Sequence, residues 1–262
     1  MGCGFVLKFA VCMIKQSVIF RDLGQMDYKS AWDYQESLLQ GNVKVKSELR
    51  SQIPALIPTT EELRTLNSEL TTQNYLLFVE HPPVFTLGKS GNINNVLLSE
   101  ERLKQRGIEF FKTNRGGDIT FHGPQQIVGY PILDLEKFDT DIGHYLRNLE
   151  EVIILTLADY KIKSGRSKGE TGVWIDPDIK GKERKICAIG VRCSRWITMH
   201  GFAFNVNTDL SYFNYIIPCG IQNKQVTSLQ KELGREIDLE EAKEKVRQNF
   251  EKVFDVRLEV SN

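Results

Sequence analysis

The sequence predicts an α+β fold, a mixed or antiparallel β-sheet flanked by helices. Strand-like and helical stretches are interleaved without the regular βαβ alternation of a parallel sheet. Two helices stand out by apolar spacing, at residues 142–160 and 239–254. The densest cluster of glycine, proline, arginine and histidine lies between two β-type runs, at RGGDITFHGPQQIVGYP, residues 115–131.

Taken in order, residues 1–12 are apolar but broken by Lys8, with no basic leader and no small-residue cleavage site. They read as an extension, and Met13 reads as the start of a single domain, 13–262. Ser17–Phe20 is a predicted strand. Residues 27–40 read as an amphipathic helix with Asp27 as N-cap. Residues 41–73 are polar, carry Pro54 and Pro58, and read as an insertion, in part helical after Thr60. Tyr75–Val79 is a buried strand, Glu80–Pro83 a turn and Val84–Leu87 a second strand. The loop Gly88-Lys89-Ser90-Gly91 lacks the spacing of a phosphate-binding P-loop. A short helix over 97–107 and a strand over 109–112 lead into the central cluster.

Ile142, Tyr145, Leu146, Leu149, Val152, Ile153 and Thr156 share one face of a helix of about five turns. Strands follow at 173–175, 185–192 and 198–206. The last helix sets Ala242, Val246, Phe250 and Phe254 on one face.

The 262 residues carry 34 basic and 34 acidic side chains, a balance that argues against a general nucleic-acid binder. No apolar stretch is long enough to span a bilayer, so neither a membrane nor a nucleic acid is expected as a partner. The five cysteines are odd in number and form no CxxC pair, and the four histidines have no metal-ligand spacing. The expectation is a cytoplasmic protein with no disulfide framework, no metal and one working thiol.

In the cluster at 115–131, the glycine pair lets backbone amides approach a ligand. Arg115 adds a fixed fork of donors for an oxygen-rich group. A tight turn with a chance arginine and histidine is the plainer reading. Cys219 lies in Ile217-Pro218-Cys219-Gly220-Ile221, a constrained bend with little bulk beside the sulfur. Cys187 and Cys193 lie in or beside strand patterns, as structural cysteines do. A reactive thiol needs a nearby cation, for which His122, His200 and Lys185 are candidates. Lys185 opens an otherwise apolar strand. It is either a solvated lysine or a partly desolvated proton carrier. From Lys161 to His200, ten basic and four acidic residues leave an excess of six positive charges (ten minus four). Such a run is either a solvated face or a surface that steers an acidic partner.

The blocks RGGDITFHGP with QIVGYPILDL, KICAIGVR and HGFAFNVNTDLSYFNYIIPCGI resemble, in order, the signatures of octanoyl-[acyl carrier protein]:protein N-octanoyltransferases of lipoate biosynthesis. The similarity runs from about Ser17 to Phe254. The resemblance implies the catalytic fold shared with biotin and lipoate protein ligases. It implies transfer of octanoyl from acyl carrier protein to a lysine of lipoyl domains, those of 2-oxoacid dehydrogenase complexes and of glycine cleavage H protein. It implies Cys219 as the acyl-thioester nucleophile and Lys185 as the residue that lowers its pKa. Arg115, Gly116, Gly117, Asp118, Ile119, Thr120, Phe121 and His122 match the first substrate-contacting stretch. Ala188, Ile189 and Gly190 match the second, and Gly201, Phe202 and Ala203 the third. Amides near Gly116, Gly117 and Gly190 become candidates to hold the acyl oxygen. No cofactor is implied. Both partners of the family are typically acidic domains. The alternatives are an ATP-dependent lipoate or biotin ligase, which needs no cysteine nucleophile, and a non-catalytic binder of acyl carrier protein. One departure stands out. Where the family reads HGPGQ, this chain has Gln125, so either the position needs no positive φ or the loop is shifted.

Overall fold

The computed structural model describes residues 15–52, 71–217 and 225–261. The expectations for residues 1–14, for 53–70 and for Cys219 lie outside the described residues.

Strand β1 (Gln16–Gln25) opens the fold, followed by helix α1 (Tyr28–Gln52). Strands β2 (Tyr75–Glu80) and β3 (Val84–Leu87), a short helix α2 (Glu100–Gln105) and strand β4 (Glu109–Lys112) come next. Strands β5 (Ile119–His122) and β6 (Gln126–Ile132) flank the HGPQ turn and precede helix α3 (Ile142–Asp159). Then come β7 (Gly165–Ser167), β8 (Glu170–Ile175), β9 (Arg184–Ser194) and β10 (Ile197–Asn205). Strand β11 (Gln225–Val226), helices α4 (Leu229–Leu233) and α5 (Leu239–Phe254), and strand β12 (Val256–Val260) complete the described chain.

The large sheet is mixed, in the order β12-β1-β2-β6-β10-β9-β8-β7, with β11 paired to β9. Strand β1 runs parallel to β12 and β2, and from β2 to β7 the neighbours are antiparallel. A second sheet, β4-β3-β5, stands beside it. Helices α3 and α5 cover one face of the large sheet and bury Leu149, Ile153, Val246 and Phe250 against Phe78, Phe202 and Phe204. Helix α1 covers the other face, with Ala31 and Leu39 against Leu77, Tyr130 and Met199. Three layers bury both sheet faces, so the inner strands read as apolar runs, not as alternations.

Two expectations are corrected. Helix α1 does not stop at residue 40. Its inward stripe continues with polar residues, which hides it from a search for apolar spacing. Asn42 exchanges two hydrogen bonds with the backbone of Gln73 (2.7 and 2.9 Å). Lys46, 7% exposed, pairs with Asp134 at 2.5 Å and with the Arg195 carbonyl at 3.0 Å. Strand β12 was not foreseen. It is an edge strand of five residues, with charged side chains at alternate positions, reached directly from α5 through Asp255 in a left-handed conformation. Asp27 caps α1 as expected, its carboxylate accepting from Ser30 N at 2.9 Å.

Candidate active site

A cavity of about 440 Å³ opens where β5 of the small sheet faces β9 and β10 of the large one. Its volume lies in the range of small-molecule sites. All the predicted substrate-contacting residues line it except Gly116 and Phe121. Phe121 turns into the core instead, stacked on Tyr212 at 4.5 Å. The Gly116 amide donates to Val191 O at 2.9 Å, so it is not available to an acyl oxygen.

One wall is the segment Arg115–His122. Arg115 is buried, and its donors do not form an open fork. Nη2 donates to Thr86 O, Thr86 Oγ1 and Asp118 O at 2.5, 2.9 and 2.8 Å, and Nη1 to Gly116 O at 3.0 Å. The guanidinium clamps the loop to β3. Asp118 also faces inward, accepting from Ile119 N, Asn92 N and Asn95 Nδ2. Gln126 continues this order. It bonds His122 Nδ1 at 3.0 Å and Asn205 Oδ1 at 2.8 Å, and Asn205 in turn donates to Thr227 O.

The opposite wall is Lys185–Gly190 of β9, paired with β10 so that Gly190 faces Gly201 and Ala188 faces Ala203. These small residues keep the wall close to the loop. A Cβ at Gly190 would stand 2.8 Å from Gly116 O. Lys185 is 9% exposed and lines the cavity, so it is not the solvated strand-opening lysine of the plainer reading. Its ammonium lies 4.6 Å from the ring centre of Trp174, a cation–π contact on a neighbouring strand. Gly172 lets β8 approach this stem, since a Cβ there would lie 2.6 Å from Cys187 O and 3.5 Å from Lys185 Cε. Val226 of β11 pairs with Lys185 and also lines the cavity.

The structure separates the three candidate cations. Burial pushes His122 well below the ordinary histidine value, with His81 and Arg115 adding repulsion. Burial likewise lowers His200 to about 3, with Arg115 and Arg192 contributing. Both imidazoles are neutral at pH 7. Sequence reasoning missed the two tyrosines of this wall, Tyr28 and Tyr130. Tyr28 stacks on His122 at 6.0 Å, and Tyr130 bonds His81 Nε2 at 2.7 Å. Of the described cysteines, Cys187 is fully buried and Cys193 half-buried, and burial raises both thiols. Neither is poised as a thiolate.

Gln125 overturns the first alternative offered for it, that the position needs no positive φ. Its φ is +62°, so the left-handed turn is kept with a side chain in place. Anchoring offsets the strain. Gln125 N donates to Glu80 Oε2 at 2.8 Å, its carbonyl accepts from Asn207 N, and its side-chain oxygen accepts from Asn207 Nδ2 at 2.7 Å.

Among the described residues, no group of three His, Cys, Asp or Glu side chains could hold a metal ion, and no helix is long and apolar enough to cross a membrane. Residues 58–251 match the family described as lipoyl protein ligase A/B catalytic domain. A solved structure from Thermoplasma acidophilum, a bi-partite lipoate protein ligase with its E2 lipoyl domain, superposes with a TM-score of 0.63 at 14% identity. It covers 94% of this chain and 88% of that one, and shows the same fold. Two relatives are more similar. An octanoyltransferase of Christiangramia forsetii is 54% identical, with 94% of this chain and 99% of that one aligned. One of Flavobacterium johnsoniae is 55% identical, with 94% and 100% aligned. The chain belongs to this family, and within it to the octanoyltransferases, which are acyltransferases.

Proposed function

We propose that this enzyme takes octanoyl from the thioester of an acyl carrier protein and delivers it to a lysine of a lipoyl domain, through a covalent thioester on Cys219. The observation that carries the reading is the buried Lys185, placed in the wall of a cavity whose two histidines are neutral.

Lys185 takes the Cys219 proton, and the thiolate adds to the acyl carbon. Collapse of the adduct breaks the carrier's C–S bond, and the proton passes to the departing thiol. One thioester replaces another, so the exchange is nearly isoenergetic and needs no nucleotide. The acceptor's ε-amine then attacks the acyl-enzyme. Its nitrogen loses a proton, the Cys219 sulfur leaves, and an amide forms that is more stable than the thioester. The neutral His122 and His200, with depressed basicity, do not compete with Lys185 for this proton. Amides near Gly117 and Gly190 would hold the oxyanion. The apolar walls, Ile189, Phe202 and Val226 among them, suit an alkyl chain.

Intact-mass analysis tests the reading. Octanoyl-carrier protein alone should add one octanoyl group, removable by hydroxylamine. Cys219→Ser should lose the adduct, and Cys187→Ser and Cys193→Ser should keep it. An undiminished adduct on Cys219→Ser contradicts the mechanism.

A further inference from the structure

In the run of positive charge between residues 161 and 200, three arginines are taken up by ion pairs, while Lys161, Lys163, Lys168, Lys180 and Lys182 stay exposed. Arg166 is paired with Glu150 at 2.9 Å and Glu151 at 2.6 Å. Arg184 is paired with Asp176 and Glu232, and Arg192 with Glu36. Lys185 is inside the cavity. Two further lysines gather next to the active site. An open groove of about 560 Å³ runs beside the Gly88–Gly91 loop, lined by Lys89, Lys112, Asn92, Thr113 and Ile93. None of its lining side chains is a carboxylate. Among the described residues, neither Lys89 nor Lys112 takes part in an ion pair. The carboxylate of the adjoining loop, Asp118, is turned inward and holds backbone and Asn95. Ile93 is 49% exposed in the groove, which puts an apolar contact next to the two ammonium groups. The groove lies next to the active site, because Ser90 of the same loop lines the cavity.

We propose that this groove is the docking surface for the acyl-donor domain, an acidic protein face carrying an apolar side chain. The inference rests on the proposed function in that the donor is a protein. Two lysines unopposed by carboxylates attract an acidic surface at long range, and Ile93 gives a non-polar contact that a small anion could not use. A domain seated here stands at the mouth of the cavity that must receive its acyl group.

The test uses the full chain and the double variant Lys89→Glu/Lys112→Glu, in single-turnover acylation of Cys219 at low ionic strength. With octanoyl-carrier protein, acylation should slow about tenfold or more, because steering contributes roughly 10- to 1,000-fold to association. The wild-type rate should fall with added salt, while the variant's rate should change little. With octanoyl-pantetheine, which has neither domain nor phosphate, both proteins should react alike, which also shows that the variant is folded. Equal rates with octanoyl-carrier protein overturn the proposal. So does a slowing that appears equally with octanoyl-4′-phosphopantetheine, which would make the groove a phosphate site. So does a defect confined to transfer from the preformed acyl-enzyme to a lipoyl domain, which would make it the acceptor's surface. If neither protein forms an acyl adduct with octanoyl-pantetheine or octanoyl-carrier protein, the failure belongs to the thioester mechanism and not to the groove.

Discussion

The two walls of the cavity use their polar side chains in opposite ways. On the Arg115–His122 wall nearly every polar group is turned to the protein itself. Arg115 holds three carbonyls and Thr86, Asp118 holds its own loop, and His122 is bonded to Gln126 and stacked with Tyr28. On the β9 wall a lysine reaches the cavity among alanine, isoleucine and glycine. The first wall is mainly scaffold and, in the proposed mechanism, contributes only the Gly117 amide, while Lys185 on the second carries the proton. A charged residue in a binding loop is therefore no sign of a ligand contact until its own hydrogen bonds are placed.

The contrast predicts different consequences for the two walls. Lys185→Ala should lower octanoyl transfer by about a hundredfold to ten-thousandfold, the range of general acid–base contributions, with a small change in melting temperature. Steady-state kinetics and thermal unfolding check it together, and a variant that transfers normally would remove the lysine from the mechanism. Arg115→Ala should do the reverse. It strips donors from buried carbonyls and should cost on the order of 3 kcal/mol of stability. Activity should fall chiefly through unfolding, and be partly recovered at low temperature.

The neutral histidines predict an acid limb in stability. Burial holds His81 to about 4 and His200 to about 3 in the folded chain, against about 6.5 when unfolded. Between those values the unfolded chain binds protons that the folded one does not, so stability falls as pH drops from about 6.5 toward 3–4. Melting temperatures across this range should decline, and His200→Asn should flatten part of the slope. The smallest effect is expected at Gln125. Gln125→Gly removes the left-handed strain but loses the bond from Asn207, so the net change should stay within about 1 kcal/mol. A loss of several kcal/mol would mean that the anchoring outweighs the strain.

Much of this was legible from the residues. The helices at 142–159 and 239–254 and the strands around the site followed from apolar spacing, because apolar residues recur at helical spacing on the buried faces, even though Glu150, Thr156, Lys243 and Asn249 share those faces. The second half of α1 did not, because Asn42 and Lys46 are buried through specific partners distant in sequence. The cavity lining was legible from three sequence blocks. The part played by Arg115 was not, because a guanidinium facing a ligand and one facing carbonyls look alike in sequence. The charge of the 161–200 run was countable, but the pairing of Arg166, Arg184 and Arg192 with Glu150, Glu232 and Glu36 depends on the fold.

The central claim is that Lys185 is the cation that keeps Cys219 reactive. The direct measurement is the pH dependence of Cys219 alkylation by iodoacetamide, followed by intact mass in wild type, Lys185→Arg and Lys185→Ala. The wild-type thiol should titrate below the free-cysteine value of about 8.5. Lys185→Arg should keep much of that depression while transferring octanoyl poorly, because arginine retains charge but releases no proton near pH 7. Lys185→Ala should move the titration up toward about 8.5. Superimposable profiles for wild type and Lys185→Ala would contradict the account.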